Sequence, residues 1–251
     1  MIVRVLQWSA WAPGVSARDE WIEFFRSGKR SAGEGAPDVS DIPPLLRRRM
    51  SRLTRMSVAV AVDCCRRAAI PSSDVQVVFA SRHGEMGTTV DLLEQLVTGE
   101  PLSPMDFSGS VHHTSLGYFT IATVNRRATR AVAGGEASFC YGFLDAMGML
   151  TEPEGPPVLL VAADDVVPAP FADLIGKTNF PYAAAFLLGR SFQQQEGTVS
   201  LEMLSQTLGP KQRAARARSL GIPALDFLRW FLEGKGPLEW RLSKRIWRWK
   251  K

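Results

Sequence analysis

Histidine and cysteine, the side chains behind most nucleophilic and metal chemistry, are scarce in this sequence, with three of each in 251 residues. Cys64 and Cys65 are neighbours and Cys140 stands apart. An odd count without the spacing of a disulfide framework fits a reducing cytoplasm. No Cys-Xaa-Xaa-Cys or His-Xaa-Xaa-Xaa-His pair occurs, so no metal centre is expected. His112 and His113 are adjacent and would point apart on a helix, which favours a structural or subunit-interface role over a joint site. Gly84 and Gly87 lack the Lys-Ser/Thr that completes a phosphate loop, so no nucleotide cofactor is expected. No run reaches the roughly 18 consecutive apolar residues of a membrane span. The stretch from Met1 to Trp11 has one cation, Arg4, and no apolar run ending in small residues, so no secretory leader is expected.

What is present suits one substantial core and a single main domain, with 45% hydrophobic and 22% charged residues. The net charge of +5 is unevenly spread. From Lys211 onward stand Lys211, Arg213, Arg216, Arg218, Arg229, Lys235, Arg241, Lys244, Arg245, Arg248, Lys250 and Lys251, against Asp226, Glu233 and Glu239. Such a basic tail suits an acidic protein, an anionic membrane surface or nucleic acid, and charge alone does not choose among them.

Periodicity gives the order of elements. Ile2 to Trp11 reads as a strand and Ala17 to Ser27 as a short helix, with a Gly33–Pro37 loop after it. Leu46, Met50, Leu53, Met56 and Val60 recur at spacings of three and four within a long helix from Pro43 to Ala69. Val75–Ala80 and Val158–Ala163 are continuous apolar runs, expected of strands covered on both faces. Between them the pattern predicts a helix from Thr88 to Val97, a second from Phe107 to Asn125, a short strand at Ala128–Val132 and a third helix from Phe139 to Leu150. Ala183–Leu188 and Thr198–Leu204 read as a hairpin across the polar stretch Ser191–Gly197. Alternating strands and helices argue for an α/β fold with a mainly parallel sheet. In the tail, Leu238, Leu242, Ile246 and Trp249 fall on one helical stripe opposite Arg241, Lys244 and Arg248, with Trp240 and Trp247 widening it. A basic helix of this kind docks on its own core or on a partner, or lies on anionic lipid.

The stretch that bears on chemistry is Gly134-Gly135-Glu136-Ala137-Ser138-Phe139-Cys140-Tyr141-Gly142, a strand end, a tight turn and a helix start. A helix N-terminus lowers a thiol's pKa and stabilises an oxyanion, so nucleophiles are often set there. This turn resembles the nucleophile turn of β-ketoacyl synthases in the thiolase superfamily, which reads roughly Ala-Cys-Xaa-Ser-Gly. Matching the family's glycine to Gly142 places Phe139 where the reactive cysteine stands. Cys140 is one residue late, about 100° around the helix, and so does not replace it.

Further segments narrow the resemblance: Ser81-Arg82-His83-Gly84-Glu85, Leu92-Leu93, Pro101 to Phe107, Ser110-Val111-His112, and Leu159 to Asp165 followed by Pro168. Together, over roughly residues 40 to 190, they are similar to the short synthase-like proteins called chain length factors of aryl polyene and xanthomonadin-type pathways. The branch often has Asn at the position of His113. The resemblance implies an α/β thiolase-like fold, essentially the N-terminal synthase half with a truncated second half and a basic helical tail. It divides the chain into a synthase-like domain at 1–208 and a Trp-bearing helical extension at 209–251. It further implies a non-catalytic subunit that pairs with an active β-ketoacyl synthase, with no cofactor, no metal and no nucleic acid. Contact with an acidic acyl carrier protein, or with the inner membrane surface through the tail, would be additional.

Decarboxylative condensation needs a thiolate and positioned imidazoles. In synthases these histidines follow the nucleophile, whereas His83, His112 and His113 all precede Phe139. The residues expected at a tunnel or interface are Val111, His112, His113, Ser138, Phe139 and Cys140. Phe139 is either a tunnel plug or a core aromatic, and these are compatible. Two rivals remain, a Cys140-dependent acyltransferase or thioesterase assisted by His112 or His113, and an adaptor that brings a synthase or carrier protein to the membrane. A buried cysteine is more often an inert small hydrophobe. Asp164-Asp165 closes a strand and suits capping as well as ligand positioning.

Overall fold

A computed structural model describes residues 2–28, 35–150, 155–175, 178–193, 195–205, 220–242 and 245–251. Its elements are β1 (Ile2–Trp11), α1 (Arg18–Ser27), α2 (Pro44–Arg47), α3 (Arg52–Arg67), β2 (Gln76–Ala80), α4 (Met86–Thr98), α5 (Pro104–Gly109), α6 (Thr114–Thr123) and β3 (Thr129–Val132). There follow α7 (Ser138–Met149), β4 (Val158–Asp164), α8 (Ala172–Ile175), β5 (Tyr182–Ser191), β6 (Thr198–Ser205), α9 (Pro223–Glu233), β7 (Leu238–Leu242) and β8 (Arg245–Lys250). The strands form one sheet in the order β3-β2-β4-β5-β1-β6-β8-β7.

The apolar runs are continuous because this sheet has a core on each face. Along β4, Val158, Leu160 and Ala162 enter one core and Leu159, Val161 and Ala163 the other. The alternation repeats in β2, where Val78 and Ala80 oppose Val77 and Phe79, and in β5, where Phe186 and Leu188 oppose Ala185 and Leu187. Helices α3 and α6 cover one face, and α1, α7 and α9 the other. Val77–Ala80, Val158–Asp164 and Tyr182–Leu188 are all withdrawn from water, so along them neither face needs polar positions.

Several expectations are corrected. The sheet is mixed: β2 is parallel to β3 and β4, and the other pairings are antiparallel. β5 and β6 are not a hairpin, because β1 lies between them, paired along its length with β5 and through Ile2, Val3 and Arg4 with β6. The connection passes the end of β1, where Val5 N–H donates to the Gly197 carbonyl at 2.9 Å. The Pro43–Ala69 helix is two helices, since the Ser51 hydroxyl accepts from Thr54 N–H at 2.9 Å and starts α3 afresh. The Phe107–Asn125 helix is likewise interrupted between α5 and α6. Of the Gly33–Pro37 loop, Gly33 and Glu34 lie outside the described residues.

The largest correction concerns the tail. Leu238–Lys251 is a β-hairpin and not a helix, and its β8 pairs with β6. Its pattern has period two: Trp240, Leu242, Trp247 and Trp249 are buried in the α7/α9 core, while Arg241, Arg248 and Lys250 face outward. Tryptophan packs well on a pleated, half-buried surface, and here it wins over the helical spacing. The outward face is a ladder of ion pairs: Lys250 Nζ to Glu202 at 2.6 Å, Arg248 to Glu202 at 3.5 Å and to Glu239 at 2.7 Å, and Arg241 to Glu239 at 3.5 Å. Lys211, Arg213, Arg216, Arg218 and Lys244 lie outside the described residues. Among the described residues no helix is long and apolar enough to cross a membrane.

Because the hairpin's tryptophans are core residues, Trp247→Ala should cost about 3–5 kcal/mol. Urea denaturation followed by circular dichroism measures this. Removing Leu238–Lys251 should abolish the cooperative transition, and a full transition after truncation would contradict the packing described.

Candidate functional site: the turn before α7

At the end of β3 the chain turns through Gly134 and Gly135, the latter left-handed at φ 60°, into one 3-10 turn and then α7. Ser138 closes this turn: its hydroxyl donates to the Gly135 carbonyl at 2.7 Å and accepts from Gly134 N–H at 3.0 Å. One turn on, Gly142 lets α7 lie directly on the sheet, since a Cβ there would come within 2.7 Å of the Ala80 side chain and 3.2 Å of Leu160. The helix is thereby fixed over β2 and β4, and its first side chains are aimed without slack.

Phe139 points into the core. Its ring lies 5.4 Å from Phe227, 5.9 Å from Phe186, 6.0 Å from Phe143 and 6.1 Å from Trp249, centroid to centroid. These rings come from α9, β5, α7 and β8, so Phe139 joins four elements, and it is 3% exposed. Tilted and edge-on pairs of this kind add about 0.5–1.5 kcal/mol each beyond burial. Cys140 is fully buried in the same core at 0% exposure. The thiol there is shut off from solvent.

The remaining expected residues are not gathered at this turn. Val111 and His113 are exposed at the α5–α6 junction. The His112 ring packs on Gly84, where a Cβ would come within 2.9 Å of it, and its Nε2 is buried without a hydrogen-bond partner. Among the described residues no group of three His, Cys, Asp or Glu side chains is placed to hold a metal ion.

A polar cluster beyond the ends of β2 and β4 was not foreseen as a unit. Asp164 accepts from the Ser81 hydroxyl at 2.8 Å, Arg82 N–H at 2.7 Å, His83 N–H at 2.9 Å and the Tyr182 hydroxyl at 3.1 Å. It thus clamps the Ser81–Gly84 loop, and Arg82 reaches Glu136 in the nucleophile turn at 3.8 Å. Burial pushes the Asp164 carboxyl above its usual range against these donors. Burial also lowers the His83 imidazole, opposed by the Asp164 charge. Nearby, Glu85 accepts from the Ser51 and Thr54 hydroxyls, both at 2.9 Å, and burial raises its pKa too. Arg52 makes a forked ion pair with Asp165. The motif Ser81–Glu85 was visible in sequence, but its partners at 51, 54, 164 and 182 are brought to it only by the sheet order.

A carboxyl with a raised folded-state pKa contributes stability that is fully present below its unfolded value, 4.5 for Glu85, and is lost as pH rises through the folded value. Glu85→Gln keeps an acceptor for both hydroxyls and carries no charge. Its urea midpoint should therefore gain on the wild type between pH 4 and pH 7.5, and a constant difference would contradict the burial effect.

The model of the β-ketoacyl synthase N-terminal domain family matches residues 21–250. Among solved structures, the ketosynthase ApeO in complex with its chain length factor ApeC from Xenorhabdus doucetiae matches with a TM-score of 0.80 at 24% identity, covering 100% of both chains. The ishigamide ketosynthase/chain length factor matches with a TM-score of 0.66 at 18% identity, over 82% of this chain and 68% of that one. A β-ketoacyl synthase from Burkholderia phymatum matches at 0.65 and 13% identity, over 81% and 64%. A comparison with curated proteins gave no match. The structural likenesses place the chain in the thiolase-like ketosynthase fold. The chain belongs to the β-ketoacyl synthase N-terminal domain family.

Proposed function

We propose that this chain is a non-catalytic subunit of the chain length factor type, which pairs with an active β-ketoacyl synthase and shapes that partner's acyl tunnel. The observation that carries this reading is Phe139, packed as a core ring on the turn that resembles the family's nucleophile turn. A condensing site needs a sulfur there with room for an acyl thioester in front of it. The phenyl ring supplies neither, and Cys140 beside it is sealed in the core. The Cys140-dependent transferase reading gains nothing from this placement.

The surface supports pairing. Among the described residues β3 is an edge strand, paired with β2 on one side only. Thiolase-type subunits pair through the strand beside the nucleophile turn, which is β3 here. Elsewhere on the surface, α4, α5 and α6 and the residue closing α6 expose Leu96, Val97, Met105, Phe107, Ile121 and Val124, with Val97 at 86% and Phe107 at 67%. Apolar surface of this kind is costly in water and marks an interaction site, as does an open strand edge. The complexes named above join a ketosynthase to a chain length factor, and a synthase is the partner this surface would take.

Co-expression with a candidate synthase, size exclusion and product analysis test the reading. The chain alone should self-associate or aggregate, whereas the pair should elute as one defined species. Phe107→Glu should abolish pairing, and an abundant monodisperse monomer of wild type would contradict the proposal. Within an assembled pair, Phe139→Cys should not confer a second condensing site. Titration with a thiol reagent at neutral pH should leave Cys140 unmodified until the chain unfolds, and rapid modification would favour the enzyme reading.

A further inference from the structure

Ala59, Val62, Asp63 and Arg66 recur at spacings of three and four along α3 and so share one side of it. With Val58, Val60 and Arg67 they line a cleft of about 400 Å³, within the range of small-molecule sites. The rest of its lining comes from Ser9, Ala10 and Trp11 at the end of β1, Ser16 and Ala17 before α1, and the 38–42 loop. The cleft lies on the face of the sheet that α3 covers, opposite α7 and Phe139. Its walls are held. Val39 and Ile42 are buried in the α3 core, and Ile42 N–H donates to the Val39 carbonyl at 3.0 Å. Ala12 and Val15 exchange two backbone hydrogen bonds at 2.9 Å, which turn the chain from β1 toward α1.

The cleft carries charges of both signs that do not meet. Asp63 accepts from the buried Ser9 hydroxyl at 2.6 Å and forms ion pairs with Arg66 at 2.5 Å and Arg67 at 2.7 Å. Two guanidinium groups thus share one carboxylate, and each keeps N–H donors beyond it. Asp38 accepts from the Ser40 hydroxyl and N–H, both at 2.9 Å, which hold its carboxyl below the usual range. Asp41 is exposed and forms no hydrogen bond or ion pair with a described residue. Arg66 and Arg67 pair with Asp63 and with neither of these carboxylates. Ser16 and Ala17 N–H both donate to Glu20 at 2.8 Å, so those amides offer no anion site.

We propose that this cleft binds a free amino acid with an apolar side chain. The ligand's carboxylate meets the spare donors of Arg66 and Arg67, a pairing that guanidinium groups make well. Its ammonium meets Asp41 and Asp38. Its side chain covers Trp11, Ala59 and Val62, which line the cleft half-buried and lose water when covered. A fatty acid would satisfy the arginines and bring no cation to the two aspartates, and an apolar amine would do the reverse. A polyanion would be repelled by Asp38 and Asp41. Only a ligand with both charges and an apolar body uses the whole lining. The cleft needs no residue of the turn before α7, so it stands whether or not the chain pairs with a synthase.

Isothermal titration of the full chain with L-phenylalanine, phenethylamine and phenylpropionate tests the site, on the synthase pair where one forms and on the chain alone otherwise. L-Phenylalanine should bind saturably and raise the melting temperature. Each analogue lacks one charge and should bind about two- to five-fold more weakly, as loss of a partly exposed ion pair implies. Asp41→Asn removes a carboxylate without a partner in the fold. It should weaken L-phenylalanine and phenethylamine by about two- to five-fold and leave phenylpropionate unchanged. Arg66→Ser leaves Ser9 and Arg67 on Asp63, and should weaken L-phenylalanine and phenylpropionate while sparing the amine. Ala59→Phe, which fills the cleft, should remove binding of all three. If a variant melts early, the split between the two analogues still decides. No saturable binding of L-phenylalanine, equal affinity for the three probes, or binding that neither charge variant alters would overturn the proposal.

Discussion

The seating of α7 on the sheet is the constraint on which the rest of the molecule depends. Gly142 lets the helix touch Ala80 and Leu160 directly, and Ser138 ties its first turn to the glycines before it. With the helix fixed this closely, the residue three before Gly142 has one direction open to it, toward β5, β8 and α9. A phenyl ring takes that direction and makes ring contacts with Phe143, Phe186, Phe227 and Trp249. The turn before α7 thus feeds the centre of a hydrophobic core, and β8 is held by the same rings.

This arrangement explains why structure and surface divide as they do. On the inside, the ends of β2 and β4 are knit by Asp164, which takes four donors from two segments, and by the Glu85 cluster at the start of α3. Such buried polar groups are tolerated because each has its partners, and they fix one geometry for the loop that carries His83. On the outside, α4, α5 and α6 leave large apolar side chains in water. Exposed apolar surface of this kind is costly in water.

The buried strands were legible in sequence because β2 and β4 are covered on both faces, and only a continuous apolar run meets that demand. The turn before α7 was legible through its paired glycines, of which Gly135 takes a left-handed φ of 60°. The tail was not. Leu238, Leu242, Ile246 and Trp249 satisfy a helical stripe, while Trp240, Leu242, Trp247 and Trp249 satisfy a hairpin register, and pairing with β6 decides between them. The position of β1 between β5 and β6 is a matter of long-range order that local spacing does not encode. The Asp164 clamp was hidden likewise, because residues 81 to 83, 164 and 182 meet only once β4 lies beside both β2 and β5.

The most direct measurement is condensation by the reconstituted pair after the synthase's own nucleophilic cysteine is replaced by alanine, with this chain left intact. The account predicts that product formation from acyl and malonyl thioesters falls to the uncatalysed background. Turnover that persists, and disappears when Cys140→Ala is introduced, would contradict it.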